Sequence, residues 1–170
     1  LFGEPYVLNV AASGSEPLKY QWFKDGQKIT GANAKDLTFS ALIPSDHGAY
    51  EVSVSNEAGA KRSSPVQIVV HEPITVTQQP TDARVIEGGG AVFEVKSIGT
   101  KPIQYEWRFN GKAIEGASTS KLTVTESDKS NEGTYQVIMK NAAGGAVSDE
   151  VKLTVVQPAV ILEEPKGGTK

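Results

Sequence analysis

The chain has 170 residues, of which 38% are hydrophobic and 22% are charged, and its net charge is −3. This composition is typical of an ordinary soluble globular protein and argues against disorder, a collagen-like repeat or a membrane span. Because the Lys and Arg residues are scattered and the net charge is negative, a nucleic-acid partner is not expected. Cysteine is absent, which excludes disulfides and thiolate metal sites.

The predicted elements are all strands, since apolar and polar residues alternate with the period of half-buried strands. In chain order, strands are predicted over residues 6–10, 18–22, 50–54, 91–95, 103–107, 122–124, 135–139 and 151–156. Asp25-Gly26 and Asn110-Gly111 each follow a strand that contains Trp. These pairs predict two-residue hairpin turns, which require positive φ and therefore favour Asn or Asp followed by Gly. No segment predicts a helix, so the sequence indicates an all-β fold.

The same pattern occurs twice along the chain. Trp107 lies 85 residues after Trp22, and Tyr135 lies 85 residues after Tyr50. This constant offset predicts two copies of one small domain. The predicted units are a domain over residues 1–72 that lacks its first strand, a complete domain over 73–157, and the first strand of a following unit over 158–170.

Four ordered motifs in each copy carry a family resemblance. In the first copy they are VAASG at 10–14, YQWFKDG at 20–26, SDHGAYEV at 45–52 and NEAG at 56–59, and they recur at 95–99, 105–111, 131–137 and 141–144. The chain resembles the intermediate-set domains of the immunoglobulin superfamily, in the style of the cysteine-free repeats of bacterial surface proteins. The resemblance implies two tandem immunoglobulin-like antiparallel β-sandwiches.

The resemblance also implies the structural core. Eight residues form it: Val10, Trp22, Tyr50, Val52, Val95, Trp107, Tyr135 and Val137. The two tryptophans are the core indoles, and the two tyrosines form tyrosine corners whose hydroxyls bond back to the main chain. The four valines stand where family members usually place bridging cysteines. A bridge there would contribute about 4 kcal/mol, and two buried valines offset it with about 1.5 to 3 kcal/mol each.

No residue pattern predicts catalysis, a cofactor or a metal site, and we expect a protein without enzymatic activity. His47 and His71 are the two histidines and are interpreted as exposed loop residues without the partners that zinc or general-base chemistry requires. Glu126 and Asp128, or the stretch Ser148-Asp149-Glu150, lack the alternating ligands of a calcium loop and are interpreted as solvated turns.

The two ends of the chain suggest a further hypothesis. The first copy begins at the position that aligns with Ile86, so the strand that residues 73–85 give to the second copy has no counterpart. Residues 158–170 match this missing piece in length and register. Either the chain is a window of a longer array, or the tail of one chain adds a strand to the first domain of the next.

The predicted function is that of a structural or adhesive tandem module in an extracellular bacterial surface or filament protein, located outside the cell or on its surface. Its expected partners are proteins, either neighbouring immunoglobulin-like units or other copies of the chain, and carbohydrate is a further candidate. One alternative is a non-catalytic accessory pair of domains in a secreted enzyme, acting as spacer or carbohydrate-targeting module. A third hypothesis is an intracellular scaffold of the muscle type, which the absence of cysteine permits.

Overall fold

In the computed structural model, which describes residues 1–163, the chain forms two compact units, one over Leu1–Glu72 and one that begins at Pro73. Apart from two short 3-10 turns, Pro44–Asp46 and Lys129–Asn131, the regular structure consists of strands. The all-β prediction is therefore confirmed. No helix in the described part of the chain has the length and apolar character needed to cross a bilayer.

The first unit consists of seven strands in two layers. They are β1 (Tyr6–Asn9), β2 (Lys19–Lys24), β3 (Gln27–Lys28), β4 (Asp36–Phe39), β5 (Gly48–Asn56), β6 (Gly59–Arg62) and β7 (Val66–Ile68). In one layer β1 pairs with β4. In the other the order is β3-β2-β5-β6, and β7 also pairs with β5. Side chains from these strands and from the segments that follow β4 and β7 meet in a core of Leu8, Trp22, Leu42, Tyr50, Val52, Ile68 and Val70.

Up to residue 163, where the described part of the chain ends, the second unit has ten strands. They are β8 (Thr75–Gln78), β9 (Ala83–Ile86), β10 (Ala91–Glu94), β11 (Lys96–Ile98), β12 (Gln104–Phe109), β13 (Lys112–Ala113), β14 (Lys121–Val124), β15 (Gly133–Asn141), β16 (Gly144–Val147) and β17 (Val151–Val156). β10 pairs with β14, and β8 pairs with β11. The largest sheet has the order β13-β12-β15-β17-β9, with β16 on β15, and its β9–β17 pair is parallel.

Both predicted hairpin turns are present. Asp25 and Gly26 have φ of 48° and 78°, and Asn110 and Gly111 have φ of 46° and 79°. Two successive residues with positive φ match the turn that follows the right-handed twist of its flanking strands. The Asp-Gly and Asn-Gly pairs are thus explained by the backbone that they adopt.

The segment after β17 was predicted to be the first strand of a further unit over residues 158–170. Residues 158–163 form no strand and are exposed. The remainder of that predicted strand lies outside the described residues.

Candidate functional site

The core of the second unit is built around Trp107. Trp107 and Val137 are directly paired across β12 and β15, and both have 0% exposure. Val95, on the other layer, has 1% exposure. The indole N–H of Trp107 donates a hydrogen bond of 2.9 Å to the carbonyl of Thr119. The indole is therefore enclosed by apolar groups while its one polar atom is satisfied.

The first unit repeats this arrangement with one difference. Trp22 pairs with Val52, and their exposures are 3% and 2%. The Trp22 indole N–H donates to the carbonyl of Ala34 at 3.0 Å. Val10 differs from the prediction of a buried pair, because its side chain packs against the core but is only half-buried. Within residues 1–163 no strand pairs with the chain at 11–13, whereas β8 pairs with β11 at the aligned positions of the second unit.

Both predicted tyrosine corners have the expected bond. The Tyr50 hydroxyl donates to the carbonyl of Asp46 at 2.9 Å, and the Tyr135 hydroxyl donates to the carbonyl of Asn131 at 2.9 Å. Burial, followed by the nearby charges of Asp46 and Asp25, raises the pKa of Tyr50 to about 12. Burial also raises the pKa of Tyr135. Each hydroxyl thus remains protonated and can donate its bond well above neutral pH.

Two serines that were not predicted join the last strands of each unit. Ser63 donates its N–H to the Val52 carbonyl at 2.9 Å, while its Oγ accepts from the Val52 N–H at 3.0 Å. Ser148 makes the same two bonds with Val137, each of 3.0 Å. The sequence signal that could have indicated them is that both copies have Ser at this position, 85 residues apart. These paired bonds hold the start of the segment that follows each serine against the strand of the core valine.

The first unit has an open groove at one sheet edge. A cavity of about 620 Å³ lies between the chain at residues 10–13, the end of β5 and the β5–β6 hairpin. Its apolar wall is formed by Val10, Leu18, Val52 and Val54. Since Val10, Leu18 and Val54 are only half-buried, this wall is reached by solvent.

The outer faces of the two units differ in chemistry. On the first unit, the Arg62 guanidinium lies 3.9 Å from the centre of the Phe23 ring and pairs with Glu51 at 2.9 Å. In the second unit Val147 stands at the position of Arg62 and is 52% exposed. It faces Ile138 across β15 and β16. Arg108 stands at the position of Phe23 and pairs with Glu106 at 2.8 Å. The first face therefore has its cation over an aromatic ring, whereas the second combines an ion pair with an exposed aliphatic pair.

The residues considered for metal or catalytic chemistry are not assembled into a site. Among residues 1–163, no group of three or more His, Asp or Glu side chains could hold a metal ion. The Asp128 carboxylate instead accepts bonds from the Ser130 hydroxyl and N–H, at 2.6 Å and 2.7 Å, and these bonds lower its pKa. His47 is exposed. His71 differs from the prediction because it follows the buried Val70 and is itself half-buried, with Nδ1 enclosed.

The sequence matches the immunoglobulin I-set domain over residues 2–69 and 74–155. This chain belongs to the immunoglobulin I-set family. The resemblance to intermediate-set domains and the prediction of two tandem immunoglobulin-like sandwiches are thereby confirmed.

Several animal proteins are similar in sequence. The chain is 33% identical over 175 residues to the muscle M-line assembly protein unc-89 of Caenorhabditis elegans, across 90% of this chain and 2% of unc-89. It is 30% identical over 156 residues to hemolin of Manduca sexta, across 80% of this chain and 37% of hemolin. It is 26% identical over 171 residues to protogenin of Homo sapiens, across 90% of this chain and 15% of protogenin. The chain thus spans a minor part of the length of each relative.

Solved structures share the fold. The I-band fragment I67–I69 from titin has a TM-score of 0.63 at 24% identity, over 92% of this chain and 62% of that one. The four N-terminal immunoglobulin domains of Dscam1 isoform 6.9 give a TM-score of 0.75 at 24% identity, over 91% of this chain and 42% of that one. These likenesses show that the two units have the immunoglobulin fold.

Proposed function

We propose that this chain is a structural segment of a large protein assembly of the muscle type, in which its two sandwiches act as spacers and as surfaces for protein contacts. The observation that carries the proposal is the 33% identity to a muscle M-line assembly protein across 90% of the chain. That similarity covers both units and therefore concerns the tandem as a whole.

The core chemistry supports this role. Val95 and Val137, with 1% and 0% exposure, occupy the positions at which related domains carry a disulfide. Since thiols remain reduced in the cytosol, a domain that works there gains nothing from a bridge. An aliphatic pair under the indole supplies burial that does not depend on the redox compartment.

The outer faces supply surfaces for protein contacts. The Arg62–Phe23 pair of the first unit lies on the β2-β5-β6 sheet. The Ile138–Val147 pair of the second unit lies on the β12-β15-β16 sheet. Apolar and Arg-aromatic groups are enriched at protein interfaces. Both surfaces are therefore suited to protein partners.

The extracellular bacterial surface or filament assignment stays a prediction, as do the carbohydrate partner and the accessory role in a secreted enzyme. The relatives named above are animal proteins. They support the muscle-type alternative more directly than the bacterial one.

Localisation tests the proposed function. A fluorescent fusion of the full chain is expressed in nematode body-wall muscle, together with a version that carries Trp107→Ala. We expect the first fusion to concentrate at the M-line and the second to spread through the cytoplasm, because loss of the indole removes about 3 to 5 kcal/mol of core stability. Equal, diffuse fluorescence from both fusions would contradict a role in this assembly. Binding to the outer surface of cells by the added, purified chain would favour the adhesive extracellular role instead.

A further inference from the structure

The segment between β6 and β7 contains an accessible serine. Ser64 is exposed and lies outside the strands, and within residues 1–163 its hydroxyl makes no hydrogen bond. The preceding Ser63 differs, because its Oγ accepts the Val52 N–H at 3.0 Å. Pro65, which follows Ser64, has no N–H to add to a strand ladder and favours an extended conformation of the residue before it. Ser64 is therefore an accessible hydroxyl on an extended piece of chain.

The sequence around Ser64 is that of a phosphate acceptor. Of the nine prolines in the chain, Pro65 alone follows a Ser or a Thr. Ser64 is thus the one residue of this chain that a proline-directed protein kinase can use. The cations Lys61 and Arg62 stand just before it. Guanidinium and ammonium groups form strong charge-assisted hydrogen bonds with phosphate oxygens, so a phosphate at Ser64 would have counter-charges close by.

The strand register places Ser64 beside an ion pair on the outer face of the first unit. The β5–β6 and β5–β7 registers differ by one residue, so Ser64 and Pro65 together lie opposite Glu51 in a β-bulge. Glu51 pairs with Arg62 at 2.9 Å, and the guanidinium lies 3.9 Å from the centre of the Phe23 ring. Arg62 is two residues from Ser64, about 6.6 Å along an extended chain. A phosphate on Ser64 would therefore be within reach of Arg62 and next to the Glu51 carboxylate.

The second unit has an acidic residue at the position of Ser64. Asp149 aligns with Ser64 at the offset of 85 residues and is also exposed. Because β8 and β9 are present in the second unit, the position is open even with these strands in place. The residue opposite Asp149 is the neutral Gln136, whose Nε2 donates to the Ser148 carbonyl at 3.0 Å. The fold thus accepts an anion here, but only the first unit has an ion pair for that anion to disturb.

We propose that Ser64 is phosphorylated by a proline-directed protein kinase and that the phosphate draws the Arg62 guanidinium away from Glu51. In this transfer Ser64 Oγ forms a bond to the terminal phosphorus of a nucleoside triphosphate, the bond from that phosphorus to the departing diphosphate breaks, and the hydroxyl proton passes to a base of the kinase. Phosphoserine carries a charge of about −1.5 to −2, more than a carboxylate carries, so the guanidinium favours the phosphate. The Phe23 ring then loses its cation, and the outer face gains negative charge.

The proposal rests on the muscle-type role, because protein kinases and nucleoside triphosphates act inside the cell. It adds a means of regulation to the Arg62–Phe23 contact surface. Phosphate transfer to the purified chain does not depend on where the chain is located, so the two proposals can fail separately. A purified chain that accepts no phosphate overturns the site alone. A chain that accepts phosphate but does not concentrate at the M-line contradicts the muscle-type role alone.

Phosphate transfer is tested on the purified full chain with ATP, Mg²⁺ and a proline-directed kinase whose activity on a Ser-Pro peptide is verified in parallel. Peptide mass spectrometry locates the phosphate, and we expect it on Ser64. Ser64→Ala should abolish incorporation, and so should Pro65→Ala, which keeps the acceptor hydroxyl and removes the recognised proline. The control Ser118→Ala changes an exposed serine that no Pro follows and should leave incorporation unchanged. No incorporation into the unaltered chain, or incorporation that persists in Pro65→Ala, would overturn the proposal.

A destabilised variant shows whether the kinase acts on the folded chain. Val52 is 2% exposed and faces Trp22, so Val52→Ala increases the unfolded population of the first unit. We expect its initial rate of phosphorylation to equal that of the unaltered chain, because Ser64 is accessible in the fold. A rate that rises about tenfold or more with the unfolded population would mean that only the unfolded chain is a substrate, which contradicts the proposal.

NMR spectra of the fully phosphorylated chain test the rearrangement of Arg62. We expect the Phe23 ring resonances and the Arg62 Nε–H resonance to shift on phosphorylation. Arg62→Ala is the control, since its side chain is 41% exposed and its removal does not threaten the fold. In that variant the Phe23 resonances should already be displaced and should move no further when phosphate is added. Phe23 and Arg62 resonances that stay in place in the phosphorylated chain, or an equal Phe23 shift in Arg62→Ala, would overturn the proposed exchange of partners.

Discussion

Val137 lies directly opposite Trp107 on neighbouring antiparallel strands, and neither side chain has any surface exposed to solvent. We expect Val137→Ala to lower the free energy of unfolding of the second unit by about 1 to 3 kcal/mol, because it leaves a void against the indole. Denaturant titration followed by tryptophan fluorescence measures this loss, since each unit contains one Trp.

Val10→Ala is the matched control in the first unit. Val10 aligns with Val95 but is half-buried beside the open groove. Its truncation removes surface that is already partly hydrated, so the expected loss is below about 1 kcal/mol. A loss at Val10 that equals the loss at Val137, or a loss at Val137 of only a few tenths of a kcal/mol, would show that the core has been misplaced.

The tyrosine corner of the first unit predicts a loss of stability at alkaline pH. Burial and the charges of Asp46 and Asp25 raise the pKa of Tyr50 to about 12, whereas an unfolded tyrosine titrates near about 10. The protonated form is therefore favoured by folding. Its contribution is fully present below about pH 10 and is lost as the pH rises through about 12. Unfolding titrations of the first unit at a series of pH values measure this decline.

Tyr50→Phe separates this effect from general alkaline denaturation. The variant loses the hydroxyl bond to the Asp46 carbonyl, which costs about 1 kcal/mol near neutral pH. Because the titrating group is absent, the slope of stability against pH between about 10 and 12 should become shallower. An unchanged slope would mean that other groups cause the alkaline loss.

The features that could be predicted from the sequence are those that repeat. Trp22 and Trp107, the two hairpin turns and the alternating strands recur at one offset, and each depends on local geometry or on one buried face. The half-burial of Val10 depends instead on whether a strand from elsewhere in the chain covers it, so its position in a motif was insufficient. His71 was misjudged because linker composition does not reveal the burial of a ring that follows a core strand.

The site was predicted less well than the fold. The two serines beside the core valines form hydrogen bonds with the main chain. The alternation of apolar residues along a strand does not predict such bonds. The role of such a hydroxyl can be recognised only once the position of the strand that follows it is known. The open groove could be anticipated from the repeat, since the first copy lacks the strand that the second possesses, but its apolar wall required coordinates.

Ser127 is a buried hydroxyl whose removal should stabilise the second unit. Its side chain has 0% exposure, and Oγ has no hydrogen-bond partner in the part of the chain that the structure describes. The aligned position in the first unit is Leu42, also with 0% exposure. Because an unsatisfied buried hydroxyl costs about 1 to 3 kcal/mol, we expect Ser127→Ala to raise the free energy of unfolding by about 1 kcal/mol. The exposed Ser118→Ala is the control and should change it by less than about 0.5 kcal/mol. Destabilisation by Ser127→Ala would indicate an ordered water or another partner for this hydroxyl.

Gly133 occupies a position where the neighbouring hairpin leaves no room for a side chain. A Cβ built on Gly133 would lie 2.5 Å from Asn110 Oδ1 and 2.7 Å from Phe109 Cε2. Asn110 Oδ1 is held in place because it accepts the Thr134 N–H at 2.9 Å. We therefore expect Gly133→Ala to cost about 1 to 3 kcal/mol, since the new methyl group displaces the Asn110 side chain from that bond. The decisive measurement is a double-mutant cycle with Asn110→Gly, which keeps the positive φ of the turn and removes the obstructing amide. The cost of Gly133→Ala should be smaller in the Asn110→Gly background than in the unaltered chain. Equal costs in the two backgrounds would place the obstruction at Phe109 alone, and the Asn110 contact would then not explain why Gly stands two residues before the corner tyrosine.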